Sequence, residues 1–489
     1  MKARVTVVGA GFAGVECAWT LARHGVPVRL YEMRPKTMTP AHTTGHFAEL
    51  VCSNSLKSNR DDSPAGQLKN EMRGLGSIVL DVAARHAVPG GEALCVDRDA
   101  FGAELTRLLQ EHSQIEIVPE EFGPDELEAA LARGELVVLA SGPLTSERLS
   151  GWLASATGRK HLHFYDAVSP TVDASTINRV VAFAQSRYDK GGDDYLNCPF
   201  NRDEYEAFVT ALVTAERVPI RAFEAGGKRD GDPEGLEAQL IEKIQYFSGC
   251  TPIEAIAEKG ARSLAFGNFK PVGLTDPRTG RRPYAALQLR PENRERTMYS
   301  LVACQNRLKW GEQRRVFRMV PGLEHAEFVR YGVIHRNTYI DAPRTLTPTL
   351  ELRDRPGVFV SGQLTGVEGY VESAAMGIFS GYAVLARLGG EEWLPPGPAC
   401  AYGCLMSHLM DDTPRDFAPM NINWGLFPAG AEIRDKAVRR TAKLEGARQA
   451  YDAWHAALRG QGWQVAESPF ANVWHETAPV NVVHTNGDL

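Results

Sequence analysis

VTVVGAGFAGVECAWTLARHGVPVRLYE, residues 5–32, decides the fold. Val5 to Val8 is a short, largely apolar run and reads as a buried parallel strand. Gly9, Gly11 and Gly14 follow as G-x-G-x-x-G, with Ala10, Phe12 and Ala13 completing the loop. In this pattern the first glycine permits the tight turn. The second lets the backbone approach a pyrophosphate, and the third lets the helix pack close to the strand. A helix reads from Val15 to His24 and stops at Gly25. A second strand, Val28 to Tyr31, ends at Glu32, 21 residues beyond Gly11, where a carboxylate can bind ribose hydroxyls. Arg34 stands just after it. The phosphates are expected at the helix N-terminus, where unbonded N–H groups and the helix dipole favour anions. The competing reading is a glycine-rich turn that binds nothing.

Working outward, LVVLASG (136–142) is another strand-to-glycine turn of the same sheet. GVFVSGQLTGVEGYVESAAMG (357–377) has a strand over Val358 to Ser361, then Gly362, Gln363, Gly366 and Gly369, then a helix of small residues. A second glycine-rich strand-to-helix turn this far down the chain is expected when a flavin domain is split by an insertion. No second G-x-G-x-x-G marks a dedicated nicotinamide domain. The expected fold class is therefore α/β: a Rossmann-like FAD-binding domain of the glutathione-reductase type, interrupted by an inserted α+β domain. The boundaries read as 1–195 for the first part, 196–330 for the inserted substrate domain, 331–470 for the returning part with a C-terminal helix, and 471–489 for a tail. The segment 225–239, AGGKRDGDPEGLEAQ, reads as a loop or insertion, and 394–400, LPPGPAC, as a linker. Residues 431–458 read as a helix with a possible break at Gly446 and with Arg and Lys on its exposed face.

Length and composition fit this. A chain of 489 residues exceeds one ordinary domain, and 43% hydrophobic with 23% charged residues is ordinary for a globular protein. The net charge of −6 means that an anionic partner must meet a local basic patch. Eight cysteines in this length do not form a disulfide scaffold. Cys400, Cys404 and His408 can share a helix face, but no fourth ligand accompanies them and no metal is expected. The N-terminus enters a strand at once, and no apolar run is long enough to span a bilayer. A reducing cytoplasm is the simplest setting.

Two cysteines stand in unusual company. Cys52, in ELVCSNSLKS (49–58), is followed by small polar residues and Lys57. It is either a small residue in a tight loop or a thiol beside a cofactor. Cys250, in FSGCTPIEAIAEKGARSLAFGNFKPVGL (247–274), precedes Pro252, which suits the first turn of a helix with Ile253, Ile256 and Ala257 on its apolar face. A thiol at a helix N-terminus is shifted toward thiolate, the nucleophilic form. The alternative is a small buried residue at a helix entry. Cys17, Cys95 and Cys198 read as structural. Residues 290–318 hold eight Arg or Lys against three Glu, with Tyr299, Trp310 and Phe317 interleaved. Cations with aromatics suit RNA, while a solvated face explains the charges equally.

Five stretches together resemble one family, the folate- and FAD-dependent tRNA (uracil-5-)-methyltransferases, TrmFO. They are VVGAGFAGVECAWTLA with YEMRP, then LVCSNSLKS, then GCTPIEAIAEKG with FGNFKPVGL, then FVSGQLTGVEGYVESAAMG, then FAPMNINWGLFP at 417–428. The GidA-type tRNA-modifying flavoproteins are related in architecture, but usually end in a helical tRNA-binding domain not seen here. The resemblance implies methyl transfer from methylenetetrahydrofolate, with electrons from reduced FAD and with NADH or NADPH as reductant. The target is the T-loop uridine of tRNA, position 54, which becomes ribothymidine. Uracil C5 is a poor nucleophile until a group adds at C6, and a thiolate can do so. Cys250 matches the family cysteine given that role. Cys52 matches a second family cysteine near the flavin, as general base or as a thiol guarding the activated cofactor. Gly362, Gln363, Gly366, Glu368 and Tyr370 then fall at the flavin–folate site. The target base must be turned out of the folded tRNA elbow, and Arg307, Lys309, Arg314, Arg315, Arg439 and Arg440 become RNA-contact candidates. The sequence departs from the family pattern in Ser248 and Thr251 around Cys250, in extra residues near 225–243, and in its long tail. A GidA-like wobble-uridine enzyme and a non-catalytic flavin-bound tRNA-binding protein are the rival readings. Oligomeric state has no signature in the sequence.

Overall fold

The computed structural model describes residues 4–39, 41–158, 162–167, 169–189, 193–218, 251–332, 334–413, 417–428 and 433–470. The strand β1, Val5–Val8, is buried at every position. It lies in register with the strand β2, Val28–Tyr31, on one side and with Leu136–Leu139 on the other, both parallel. Ile115–Val118 extends the sheet beyond β2, and Val358–Val360 extends it beyond Leu136–Leu139. The order is therefore Val358–Val360, Leu136–Leu139, β1, β2, Ile115–Val118. A sheet this apolar has both faces covered. The helix α1, Phe12–Arg23, covers one face and packs along the helix Tyr370–Gly389. The small residues of that second helix are what the approach requires: a Cβ at Gly377 would stand 2.2 Å from the Ala13 carbonyl oxygen, and one at Gly381 2.8 Å from Thr20 Cβ.

A second sheet, antiparallel, runs in the order Phe183–Ala184, Leu196–Phe200, Ala285–Pro291, Met298–Leu301, Thr171–Asp173, Phe328–Arg330. Its separate core includes Phe200, Phe208, Phe269 and Phe317. The antiparallel pair Leu162–Ala167 and Ile334–Tyr339 forms the neck between the two units. The change in texture near residue 196 thus marks the wrong boundary, since the second sheet already takes in Thr171–Asp173. That strand has three residues and Phe183–Ala184 two. Neither is long enough for apolar alternation to show.

Two further expectations shift. α1 begins at Phe12, ahead of Val15, because Gly11 is its N-cap. The C-terminal helix runs unbroken over Lys436–Gly460 through Gly446, capped by Asp435, whose carboxylate accepts from the N–H of Ala437 (2.8 Å) and Val438 (2.9 Å). Its buried face docks on Pro64–Gly74, with Tyr451 Oη donating to the Glu71 carbonyl (2.9 Å). Among the described residues no helix is long and apolar enough to cross a membrane. The segment 225–243 and the tail 471–489 lie outside the described residues.

Two buried carboxyls act as helix caps. Glu16 accepts from Ser77 Oγ and from the N–H of Ile78 (3.2 Å) and Val79 (3.1 Å). Glu71 accepts from the N–H of Ala401 (2.8 Å) and Tyr402 (3.1 Å). Burial outweighs these hydrogen bonds and pushes both pKa values up to about 7. A carboxyl raised in the folded state binds more protons folded than unfolded between its ordinary value, 4.5, and about 7. Stability is therefore expected to fall as pH rises through that window, by roughly 3 kcal/mol per carboxyl, and to level off above it. Urea melts at the two ends of the window read this out, and Glu16→Gln with Glu71→Gln flattens the slope. Lys69, whose burial lowers its pKa to about 7, acts only at higher pH and with the opposite sign.

Candidate active site

The glycine turn after β1 opens a cleft at the carboxyl ends of the parallel strands, between β1 and Leu136–Leu139, where the strand order reverses. Each glycine has its own reason. Gly9 is at φ +93, and a Cβ there would meet the Ala140 carbonyl oxygen at 2.7 Å. At Gly14 a Cβ would lie 1.7 Å from the Gly9 carbonyl oxygen. At Gly11 a Cβ would meet nothing within 4 Å. Gly11 faces the cleft, and as N-cap of α1 it offers no side chain to the first N–H groups of that helix. An open backbone at an uncapped helix N-terminus is what a pyrophosphate needs.

Glu32, at the end of β2, accepts from the Ala10 N–H (2.9 Å) and from Arg34 through its N–H (3.0 Å), Nε (2.9 Å) and Nη2 (3.2 Å). Burial raises this carboxyl, but the hydrogen bonds and charge of Arg34 prevail and hold it below the ordinary range. Arg34 Nη1 reaches on to Glu49 Oε2 (3.1 Å), and Glu49 in turn accepts from Thr43 and Thr44. The pair Glu32–Arg34 thus stands at the β2 side of the cleft. Ala140 to Ser146 and Gly362 and Gln363 line its other walls, and the whole space is about 1050 Å³ counting its mouth. That is the scale of a cofactor cleft, and these residues fit a dinucleotide such as FAD.

At the far end three stretches meet that are distant in sequence. Tyr370, the first residue of its helix, stacks on Phe12 of the glycine loop (4.7 Å, 26°). Its hydroxyl oxygen accepts the Cys52 N–H (2.7 Å). Gln363 Nε2 donates to Glu368 Oε2 (3.0 Å). Lys57 Nζ donates to the Glu368 carbonyl (3.3 Å) and to Glu372 Oε1 (2.5 Å). Gly369, at φ +116, has no room for a side chain between these charges: a Cβ would fall 2.5 Å from Glu372 Oε2 and 2.7 Å from Lys57 Nζ. Gly366, at φ +99, is held against Phe417, where a Cβ would come within 2.3 Å of the ring. Ala10, Gly14, Gly366 and Glu368 therefore shape the cleft from behind, while Gly9, Gly11, Phe12, Ala13, Glu32, Arg34, Gly362, Gln363 and Tyr370 line it.

Cys250 lies outside the described residues. The helix after it runs over Ile253–Glu258 with Pro252 as N-cap, one residue later than the sequence reading. Cys17, Cys95 and Cys198 are buried, as are Cys400 and Cys404. The Cys400 thiol accepts from the Gly403 N–H at the start of its own helix, and His408 stacks on Phe417.

The RNA-contact candidates divide. Arg307 is buried at 6% exposure, and its N–H donates to Glu254 Oε1 (3.0 Å), so it leaves the surface set. Of the interleaved aromatics Tyr299 and Phe317 are core residues, and only Trp310 is exposed, at 62%. Trp310 stacks on Tyr331 (5.5 Å, 12°), which stacks on Phe328 (5.3 Å, 11°). Around it Arg314 donates to Tyr331 Oη (3.1 and 2.9 Å), Lys309 pairs with Glu216 (2.7 Å) and Arg315 pairs with Glu312 (2.6 Å). Arg440 is exposed, while Arg439 is half-buried and donates to the Ile433 carbonyl (3.1 Å).

The sequence reading missed one group. Arg98 gives Nε (2.9 Å) and Nη2 (2.6 Å) to Glu292 Oε2, joining the two units within electrostatic reach of Tyr370 and Cys52. Residues 194 apart, with no local motif at either, leave no signal in one sequence.

The model of the family described as glucose inhibited division protein A matches residues 4–392. Among curated relatives, the methylenetetrahydrofolate--tRNA-(uracil-5-)-methyltransferase TrmFO of Desulforudis audaxviator is 49% identical over 94% of this chain and 100% of its own length. The protein of that name from Heliobacterium modesticaldum is 49% identical over 92% of this chain and 98% of its own. Among solved structures, Aquifex aeolicus GidA superposes with a TM-score of 0.61 at 15% identity, over 92% of this chain and 73% of that one, a likeness of fold. By the family match and by relatives near one-half identical along their whole length, the chain belongs to the glucose inhibited division protein A family, in its TrmFO branch.

Proposed function

We propose that this chain transfers the one-carbon unit of methylenetetrahydrofolate to C5 of the T-loop uridine of tRNA, position 54, with FAD as cofactor and NADH or NADPH as reductant. The observation that carries the reading is the meeting of Cys52, Tyr370 and the glycine loop at one end of a dinucleotide cleft. When bound, FAD supplies the electrons that turn a methylene carbon into a methyl group. The chain's own residues hold and orient. The first turn of α1 and Gly11 take the pyrophosphate, and Glu32 with Arg34 takes the ribose end. Tyr370 offers a ring face beside Cys52. Cys250 is proposed as the thiolate that adds to uracil C6 and leaves when the C5 proton is lost, and Cys52 as the thiol at the cofactor. Lys309, Arg314, Arg315, Arg439 and Arg440 are proposed to meet RNA phosphates, with the cytoplasm as the setting.

The test supplies labelled methylenetetrahydrofolate, NADPH and FAD to unmodified tRNA transcript, with S-adenosylmethionine left out. Label in the T-loop uridine with the wild type, lost in Cys250→Ala and in Cys52→Ala, is expected. No label from a protein that holds FAD and binds tRNA defeats the proposal. It would favour a wobble-uridine enzyme or a non-catalytic tRNA binder.

A further inference from the structure

The stretch FGNFKPVGL, 266–274, lines no part of the dinucleotide cleft, and its two phenylalanines have opposite settings. Phe269 is fully buried in the core of the second unit and stacks on Phe200 (6.0 Å, 14°). Phe266 ends the short helix Ser263–Phe266 and is 67% exposed. Its ring touches no other aromatic ring among the described residues, and the Arg262 guanidinium lies over it, 4.6 Å from the centroid. Ala257, Leu264, Ala265 and Phe269 turn inward from this run, while Lys259, Arg262, Phe266 and Lys270 turn outward. From 259 to 282 the chain holds six Lys or Arg against one acid, Asp276, which Arg278 takes (2.8 Å). Lys259, Arg262, Lys270, Arg281 and Arg282 are exposed, and their side chains make no ion pair or hydrogen bond among the described residues. Glu258, next to Lys259, is held by Arg217. The strip at 290–318 is different, since Glu216 matches Lys309 and Glu312 matches Arg315. On a chain of net charge −6, the surface over 259–282 is a local positive field of the kind a polyanion needs.

We propose, resting on the reading of tRNA as substrate, that this surface holds the single-stranded loop around the target uridine. Phe266, backed by Arg262, stacks on an unpaired base, and Lys259, Lys270, Arg281 and Arg282 meet the loop phosphates. A lone ring among cations suits an unstacked nucleotide, which joins an apolar face to an anionic backbone. An apolar protein partner would need neighbouring apolar surface, and the outward residues beside Phe266 are charged or small. Extruding one uridine leaves its loop neighbours unstacked, and a ring face restores the contact they lose. The position suits those neighbours. The helix Ile253–Glu258, about 9 Å long, joins this surface to its N-cap Pro252, two residues after the proposed attacking thiol.

The experiment measures dissociation constants of the FAD-loaded protein for an unmodified T-arm stem-loop and for a blunt RNA duplex of equal length, over a series of salt concentrations. Phe266→Ala is expected to weaken stem-loop binding by about 5- to 100-fold and duplex binding by less than about twofold, since a duplex offers no free base face. Phe266→Trp, which keeps a ring, should bind the stem-loop as the wild type does. The double variant Arg281→Gln with Arg282→Gln should weaken both RNAs and lower the salt slope by about 1 to 2. FAD content and melting temperature are expected to match the wild type throughout. If Phe266→Ala melts lower, Phe266→Leu, which keeps an apolar side chain without a ring, takes its place with the same loss expected. Stem-loop affinity intact in Phe266→Leu overturns the inference, as does an equal loss on stem-loop and duplex. A wild type that binds neither RNA defeats the tRNA reading, and this inference with it. A wild type that binds the stem-loop no better than Phe266→Ala or Phe266→Leu defeats this inference alone.

Discussion

Gly14→Ala should give a chain that carries no flavin and has lost most of its stability. The added methyl would lie 1.7 Å from the Gly9 carbonyl oxygen and 2.9 Å from its carbon, both backbone atoms of the turn between β1 and α1. Neither can swing aside as a side chain can, so strand and helix must separate. Core overpacking against backbone belongs to the severe end of single substitutions, about 4 kcal/mol or more. Gly11→Ala is the informative contrast. Its methyl would meet no protein atom within 4 Å, so the chain should fold, but that space is where the pyrophosphate would approach. Thermal melting together with visible flavin absorbance separates the two: unstable and colourless for Gly14→Ala, stable and colourless for Gly11→Ala. A yellow Gly14→Ala protein melting with the wild type would show that the turn is not built as described.

The second large effect is expected at Lys57. Its ammonium reaches Glu372, which is fully buried and whose Oε2 has no hydrogen-bond partner among the described residues. Lys57 itself sits at φ +61, a left-handed conformation that a lysine adopts only when its surroundings require it. Lys57→Met would leave Glu372 Oε1 with only the Ile422 N–H (2.9 Å), and its charge with only Lys69, which makes no hydrogen bond to it, in electrostatic reach. Breaking a buried pair on one side costs about 3 kcal/mol. The double variant Lys57→Met with Glu372→Gln removes the orphaned charge and should recover more than half of the loss. Because the pair ties the Cys52 loop to the helix that carries Tyr370, the single variant should also speed alkylation of Cys52. Unchanged melting and unchanged Cys52 reactivity would mean that the pair holds nothing.

How much of this could be read in the sequence follows from how local each feature is. The turn at Gly9, Gly11 and Gly14 and the acid at Glu32 are set by neighbours within a few tens of residues, and they stand where the pattern puts them. The small residues after Tyr370 announced a close helix contact without saying that α1 was the partner. The start of the second unit was illegible because Thr171–Asp173 is stabilised by Met298–Leu301 and Phe328–Arg330, well over a hundred residues away. The basic strip misled in part. A count of charges cannot tell Arg307, turned inward beside Glu254, from Arg314 on the surface. Arg98 and Glu292 carry no motif at all, and only the docking of two units makes them a pair.

The parallel sheet has one more consequence, for the order in which the protein is made. Its edge strand, Val358–Val360, pairs with Leu136–Leu139 only after the whole inserted unit has been synthesised. At about 5–20 residues per second, residue 360 leaves the ribosome roughly 20 to 70 s after the first. From the synthesis of residue 139 to that of residue 360, roughly 10 to 45 s at that rate, the Leu136–Leu139 edge is unpaired, and the wall of the cleft that holds Gly362, Gln363 and Tyr370 does not yet exist. The nascent chain thus has a long period with an open strand edge, a template for wrong pairing. Flavin capture then comes as one of the last events of synthesis, sealing a sheet begun in the first ten residues.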